Sequence, residues 1–148
     1  MSTISKGLQG AALALAVVAA GAQAQGVVNR PQLSAALANE LVGESVAICA
    51  KQGYKVWAVV VNTDGVRQAL LRGDGAPIHS QDNAYYKAYT AASLTLGRNE
   101  NVTFAQGAIV IRAAGQIIGA IGVSGAPGGQ YDEACAKEAL SKIQDRIK

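Results

Sequence analysis

Apolar residues recur at helical spacing between Pro31 and Gln52, where Leu33, Leu37, Leu41, Val42, Ser45, Ile48 and Cys49 fall on one stripe. The spacing predicts a helix over 31–52, with Pro31 in its first turn and Gly53 as its stop. "YKVWAVVVN" follows, rich in valine and apolar on both faces, which predicts a central strand. Asp64-Gly65 separates it from a second run, Val66 to Leu71, and predicts a hairpin. "GDGAPI" then breaks the pattern. Ser80 is the expected cap of a second helix that runs to about Leu96 and stops at Gly97, with Asp82 in its first turn. The inner stripe of that helix, Ala84, Ala88, Ala91, Ala92 and Thr95, is made of small residues and predicts close packing on a sheet. Tyr85 and Tyr89, four apart, share a face.

"RNENVTF" is polar and reads as a loop. "GAIVIRAAGQIIGAIGVSG" predicts two more strands, 108–112 and 116–123, turning at Ala114-Gly115; Gly119 and Gly122 mark a bulge or a close backbone approach. "GAPGGQYDEACAKEALSKIQDRI" is a glycine-rich loop feeding a last helix with Ala134, Leu140, Ile143 and Ile147 as its apolar stripe. The order is helix, two strands, helix, two strands, helix. Hairpins joined by helices predict an α+β fold: an antiparallel sheet with helices packed on it. There is no repeat, linker or second domain.

The first 24 residues stand apart. Lys6 is the only charge before Arg30; an apolar run from Ala11 to Ala20 follows, then Ala22-Gln23-Ala24. This is the pattern of a secretory signal peptide cleaved after Ala24, which predicts a single mature domain over 25–148 and a periplasmic or secreted location. The apolar run is too short to span a bilayer, so no membrane insertion is expected after cleavage. Loss of Lys6 takes the formal charge from +3 to +2, and the remaining basic residues are scattered, which argues against a nucleic-acid partner. Two cysteines, Cys49 and Cys135, lie on predicted helices at opposite ends of the chain. In an oxidising compartment they are expected to pair, the alternative being two buried thiols.

Most chemistries find no support. "GVSGA" is not a nucleophile elbow, so Ser124 and His79 do not make a hydrolase signature. Asp64, Asp74 and Asp82 lack calcium-loop spacing, and one histidine without a local partner is not a zinc site. "GAPGG" before a helix can offer backbone N–H groups to an anion, or can simply turn the chain. Haem differs because one axial ligand suffices. Met1 is the only methionine and leaves with the leader, so the candidates are His79, five tyrosines and the cysteines.

"AVVVNTDGVRQALLRGDGAPIHSQDNAYYKAYTAAS" followed by "GQIIGAIGVSGAPGGQYDEACAKEAL" resembles the GlcG/HbpS family of haem-binding proteins, which includes the C-terminal domain of PduO-type proteins. The matching features are the "DG" hairpin, the "RGDGA" turn, the "KAYTA" helix core, the "GAIGVSG" strand and the "DEACA" helix start, in order over nearly all of the mature chain. The resemblance implies a profilin-like fold, haem binding and a homo-oligomer of closed symmetry. Relatives of this type often carry a histidine at the "GAPIHS" position, while ligation differs between members. A departure lies between Gly97 and Gly107, where many relatives have a longer segment.

These readings make His79 the expected axial ligand of haem, with Arg72 or Lys87 near a propionate and Tyr86 or Tyr89 of the following helix against the ring. Gly73, Gly75 and Pro77 hold the approach tight. The nearby helix N-terminus disfavours imidazolium and leaves a nitrogen lone pair for iron. No catalytic residue is expected. The rivals are a small-molecule oxidoreductase or lyase using the same cleft, with Lys87 or Tyr86 as a second polar group, and a structural oligomeric module.

Overall fold

The computed structural model describes residues 26, 28–94 and 106–147. Its elements are α1 (Ala35–Lys51), β1 (Trp57–Val61), β2 (Arg67–Arg72), α2 (His79–Leu94), β3 (Ala108–Ala113), β4 (Gln116–Ser124) and α3 (Gly129–Ile143), closed by a 3₁₀ turn at Gln144–Arg146. The order is the one the sequence predicts. All strand pairs are antiparallel and the sheet order is β2-β1-β4-β3, so β1 is central as expected.

β1 is apolar on both faces because both are covered. Ala58 and Val60 join a core with α1 and α3, whereas Trp57, Val59 and Val61 face α2. The inner stripe of α2 is Ala84, Ala88 and Ala92. A Cβ on Gly122 of β4 would stand 2.1 Å from the Ala84 carbonyl oxygen, so glycine is required for this close helix-on-sheet approach. The register shift between Ile111 and Arg112 puts the expected bulge beside Gly119. Both hairpin turns carry positive-φ glycines, Gly65 at 79° and Gly115 at 80°.

On the opposite face α1 and α3 are joined by a disulfide between Cys49 and Cys135, whose Cα atoms are 5.6 Å apart. Ion pairs Glu44–Lys142 and Glu40–Arg146 continue the seam.

Several boundaries differ from expectation. α1 begins at Ala35, not near Pro31, because the Ser34 hydroxyl accepts a hydrogen bond from the Leu37 N–H and caps the helix there. Ser80 is not a cap but the second residue of α2, and His79 is the first. The inner face of α3 is Asp132, Cys135, Ala136, Ala139 and Ile143; Ala134 is exposed and Leu140 only half-buried, which corrects the predicted stripe. Thr95, the predicted stop at Gly97 and the "RNENVTF" loop lie outside the described residues, as does the leader. No helix among the described residues is long and apolar enough to cross a membrane.

Candidate functional site

The turn between β2 and α2 is fixed by its own donors and by two side chains. The Gly73 N–H donates to the Val56 carbonyl and the Ala76 N–H to the Gly73 carbonyl, at 2.9 and 3.0 Å. Arg72 donates from Nε and Nη2 to the Ala76 carbonyl, at 3.1 and 2.7 Å. The Trp57 indole N–H donates to the Pro77 carbonyl at 2.9 Å. Two successive carbonyls are thus held from β1 and β2, and the next residues, Ile78 and His79, are presented outward. Ile78 is 81% exposed.

His79 lies on the wall of a cleft of about 320 Å³. One side is the first three turns of α2, with Ser80, Asn83 and Lys87; the other is Ser124 at the end of β4 and the glycine-rich loop leading into α3. This volume is at the small end of ligand pockets, roughly 300–1,000 Å³. The N-termini of α2 and α3 both open onto it.

Its floor is an ion pair. The Lys87 ammonium donates to Asp132 Oδ2 at 2.8 Å and to the Val123 carbonyl at 3.0 Å. Asp132 Oδ1 accepts from the Ala126 N–H at 3.0 Å, so one carboxylate ties the loop, α3 and α2 together. Lys87 is 6% exposed and Asp132 is 2% exposed. Burial pushes the Asp132 carboxyl above its ordinary range, outweighing the opposing pull of the Lys87 and Ala126 hydrogen bonds. Gly107 packs over the pair; a Cβ there would stand 2.7 Å from Lys87 Nζ.

The structure divides the residues expected around the ligand. His79 and Lys87 share the cleft. Tyr86 lies seven residues after His79, nearly on the same helix stripe, and is 39% exposed. Arg72 is committed to the Ala76 carbonyl, with its guanidinium 5.5 Å from the Trp57 ring, and lines a different hollow of about 470 Å³ beside Tyr54 and Lys55. That hollow is larger, but it gathers neither histidine nor buried ion pair. Tyr89 packs against the hairpin turn at Gly65, and the Tyr85 hydroxyl donates to the Gly65 carbonyl, so these two rings brace the first hairpin. Among the described residues no group of three or more His, Cys, Asp or Glu can hold a metal ion.

Asp132, Ser80, Ser124 and Asn83 are site residues that sequence reasoning did not select. One signal was available: Lys87 lies three residues after Ala84 and four before Ala91, on the inner side of the helix. A lysine there demands a carboxylate partner.

A family model described as "Haem degrading protein HbpS-like" matches residues 33–141. The chain belongs to the HbpS-like family. A crystal structure of a double mutant of HbpS from Streptomyces reticuli superposes with a TM-score of 0.74 at 28% identity, over 82% of this chain and 94% of that one. A complex of PduOC with haem superposes at 0.69 with 21% identity, over 76% and 96% of the two chains. A Klebsiella pneumoniae protein, ORFY, does so at 0.71 with 22% identity, over 79% and 94%. The last two likenesses show the fold. No curated protein sequence matches significantly. The family and the α+β fold implied by the sequence motifs are therefore those of the HbpS-like proteins.

Proposed function

We propose that this HbpS-like protein binds haem, with His79 as the axial ligand of the iron. The observation that carries the reading is the presentation of His79. Its imidazole is exposed and without a hydrogen-bond partner among the described residues, on a turn whose preceding carbonyls are held by Arg72 and Trp57. Exposed Pro77 and Ile78 on one side and Tyr86 along the helix supply apolar area beside it. These residues fit a haem at the mouth of the cleft. The floor, polar and narrow, does not suit a porphyrin ring.

Haem supplies an iron for ligand binding and redox chemistry. The chain's part is to hold the imidazole in place on a turn fixed by Arg72 and Trp57, and to cover one face of the ring. Of the residues expected near the propionates, Lys87 reaches the cleft and Arg72 is engaged elsewhere. The family description and the PduOC–haem complex support a haem-related role.

Haem titration of the protein and of His79→Ala, followed by the Soret band, tests the reading. We expect the variant to lose affinity at least tenfold and to shift the Soret maximum. An unchanged affinity and spectrum would reject His79 and turn attention to Tyr86. Turnover of a substrate without added cofactor would favour the enzyme reading.

Two further parts of the proposal concern the whole chain. Export with cleavage after Ala24 is checked by intact mass of periplasmic protein, which should begin at Gln25. Assembly as a homo-oligomer is supported by exposed Val66, Leu70, Leu71 and Tyr131. A monomeric mass by light scattering at micromolar concentration would count against it.

A further inference from the structure

The haem reading uses the mouth of the cleft and leaves its floor unexplained. Ser80 and Ser124 are 1% and 6% exposed, and both line the cleft. Neither hydroxyl has a hydrogen-bond partner among the described residues. Among the described residues the one side-chain polar atom that is both enclosed by protein and unpartnered is Gln68 Oε1, on β2 and away from the cleft. The two serine hydroxyls therefore open onto the cleft space. Lys87 uses two of its three N–H groups, on Val123 and Asp132, and keeps one.

The local charge sets the ligand class. Lys87 and Asp132 cancel. The N-termini of α2 and α3 each contribute about half a positive charge, and the α3 N-terminus has no side-chain cap. The sum, about one positive charge, is met by one monoanion. A dianion would leave a negative charge uncompensated beside the Asp132 carboxylate.

We infer that the floor of the cleft is a carboxylate pocket. The spare Lys87 N–H, the Ser80 and Ser124 hydroxyls and the first-turn amides of α3 hold the carboxylate group of a small monocarboxylic acid. The same chemistry has two sources: a free acid, or the propionate arm of a haem seated at the mouth. The first is independent of the haem reading; the second rests on it.

Haem-free protein is titrated with acetate and with its neutral isostere acetamide at constant ionic strength, followed by backbone amide NMR. Saturable acetate shifts at Ser80, Ser124, Gly129 and Gln130, absent with acetamide and retained in His79→Ala, are expected. Ser80→Ala and Ser124→Ala should each weaken acetate about tenfold, the scale of a hydrogen bond to a charged group. They are read separately, and the acetate–acetamide contrast needs no variant. Equal effects of the two probes, shifts that do not saturate, or tighter binding of inorganic phosphate at the same residues would overturn the pocket. Haem titration with and without saturating acetate assigns the source. Competition places a propionate there; unchanged haem affinity assigns the pocket to a free acid. Failure of haem to bind at all leaves the acetate result standing, so the two readings fail separately.

Discussion

The Lys87 ammonium lies 2.8 Å from the Asp132 carboxylate, 45 residues away in sequence, and this contact fastens α2 to α3 beneath the cleft. Removing one partner of a buried pair leaves the other charge without compensation, which costs about 3–5 kcal/mol. Lys87→Met, which strands the Asp132 carboxylate, should be destabilised on that scale; Asp132→Asn, which resembles the protonated acid that burial favours, should cost less. The double variant should be less destabilised than the sum of the two, because neither charge is stranded. Urea unfolding of all four proteins checks this; additive losses would show that the pair does not act as a unit.

The same contact sets a pH dependence. The folded Asp132 carboxyl is raised above its ordinary value of 3.8, chiefly by burial. The folded state therefore holds that proton more tightly than the unfolded state. Its contribution to stability is fully present below 3.8 and is lost as pH rises through the raised folded value. Glu133, held low by the Lys137 hydrogen bond, and Glu40, held low by Arg146, act in the opposite sense and lose their contribution on acidification. Unfolding measured from pH 3 upward, for the protein and for Asp132→Asn, isolates the first effect. The stability of the protein relative to the variant should fall with rising pH and then level off.

The Cys49–Cys135 bond closes a loop of 86 residues between α1 and α3. In the chain-entropy model such a loop restricts the unfolded chain by about 4–5 kcal/mol. Reduction, or replacement of both cysteines by alanine, should lower the melting temperature markedly, and the unfolded, non-reduced protein should titrate no free thiol. Two thiols there would refute the bond.

The hairpins were legible because Asp64-Gly65 and Ala114-Gly115 mark turns that need positive φ. The order of elements was legible because each periodic run ends at glycine or a polar loop. The register of α3 was not. Its inner face is made of small residues and one aspartate, so weighting Leu140 and Ile147 rotated the predicted stripe toward Ala134. The disulfide expectation already contained the correction, since Cys135 can face α1 only if Ala134, 100° away, does not. For the site, the sequence identified His79 and Lys87 as candidates but not how they are separated by depth. Lys87 is sealed by the Asp132 carboxylate of α3, 45 residues away in sequence, and that is a tertiary fact.

Glycines of this fold divide by what surrounds them, and two substitutions with opposite signs test the packing of α2. A Cβ on Gly122 would meet the Ala84 carbonyl oxygen at 2.1 Å and the Ala88 nitrogen at 2.6 Å. Both are backbone atoms of a helix that cannot yield locally, so α2 must lift from the sheet. Gly122→Ala should cost about 1–3 kcal/mol, the range for overpacking, and should displace His79 with the helix, weakening haem as well. Gly43 lies in α1 with nothing within 4 Å of a built Cβ and no positive φ. Gly43→Ala should stabilise by about 0.5–1 kcal/mol, through helix propensity alone, and leave haem affinity unchanged. Paired melting curves and Soret titrations decide it. If Gly122→Ala is neutral, the close seating of α2 on β4 is wrong, and with it the placement of the cleft wall.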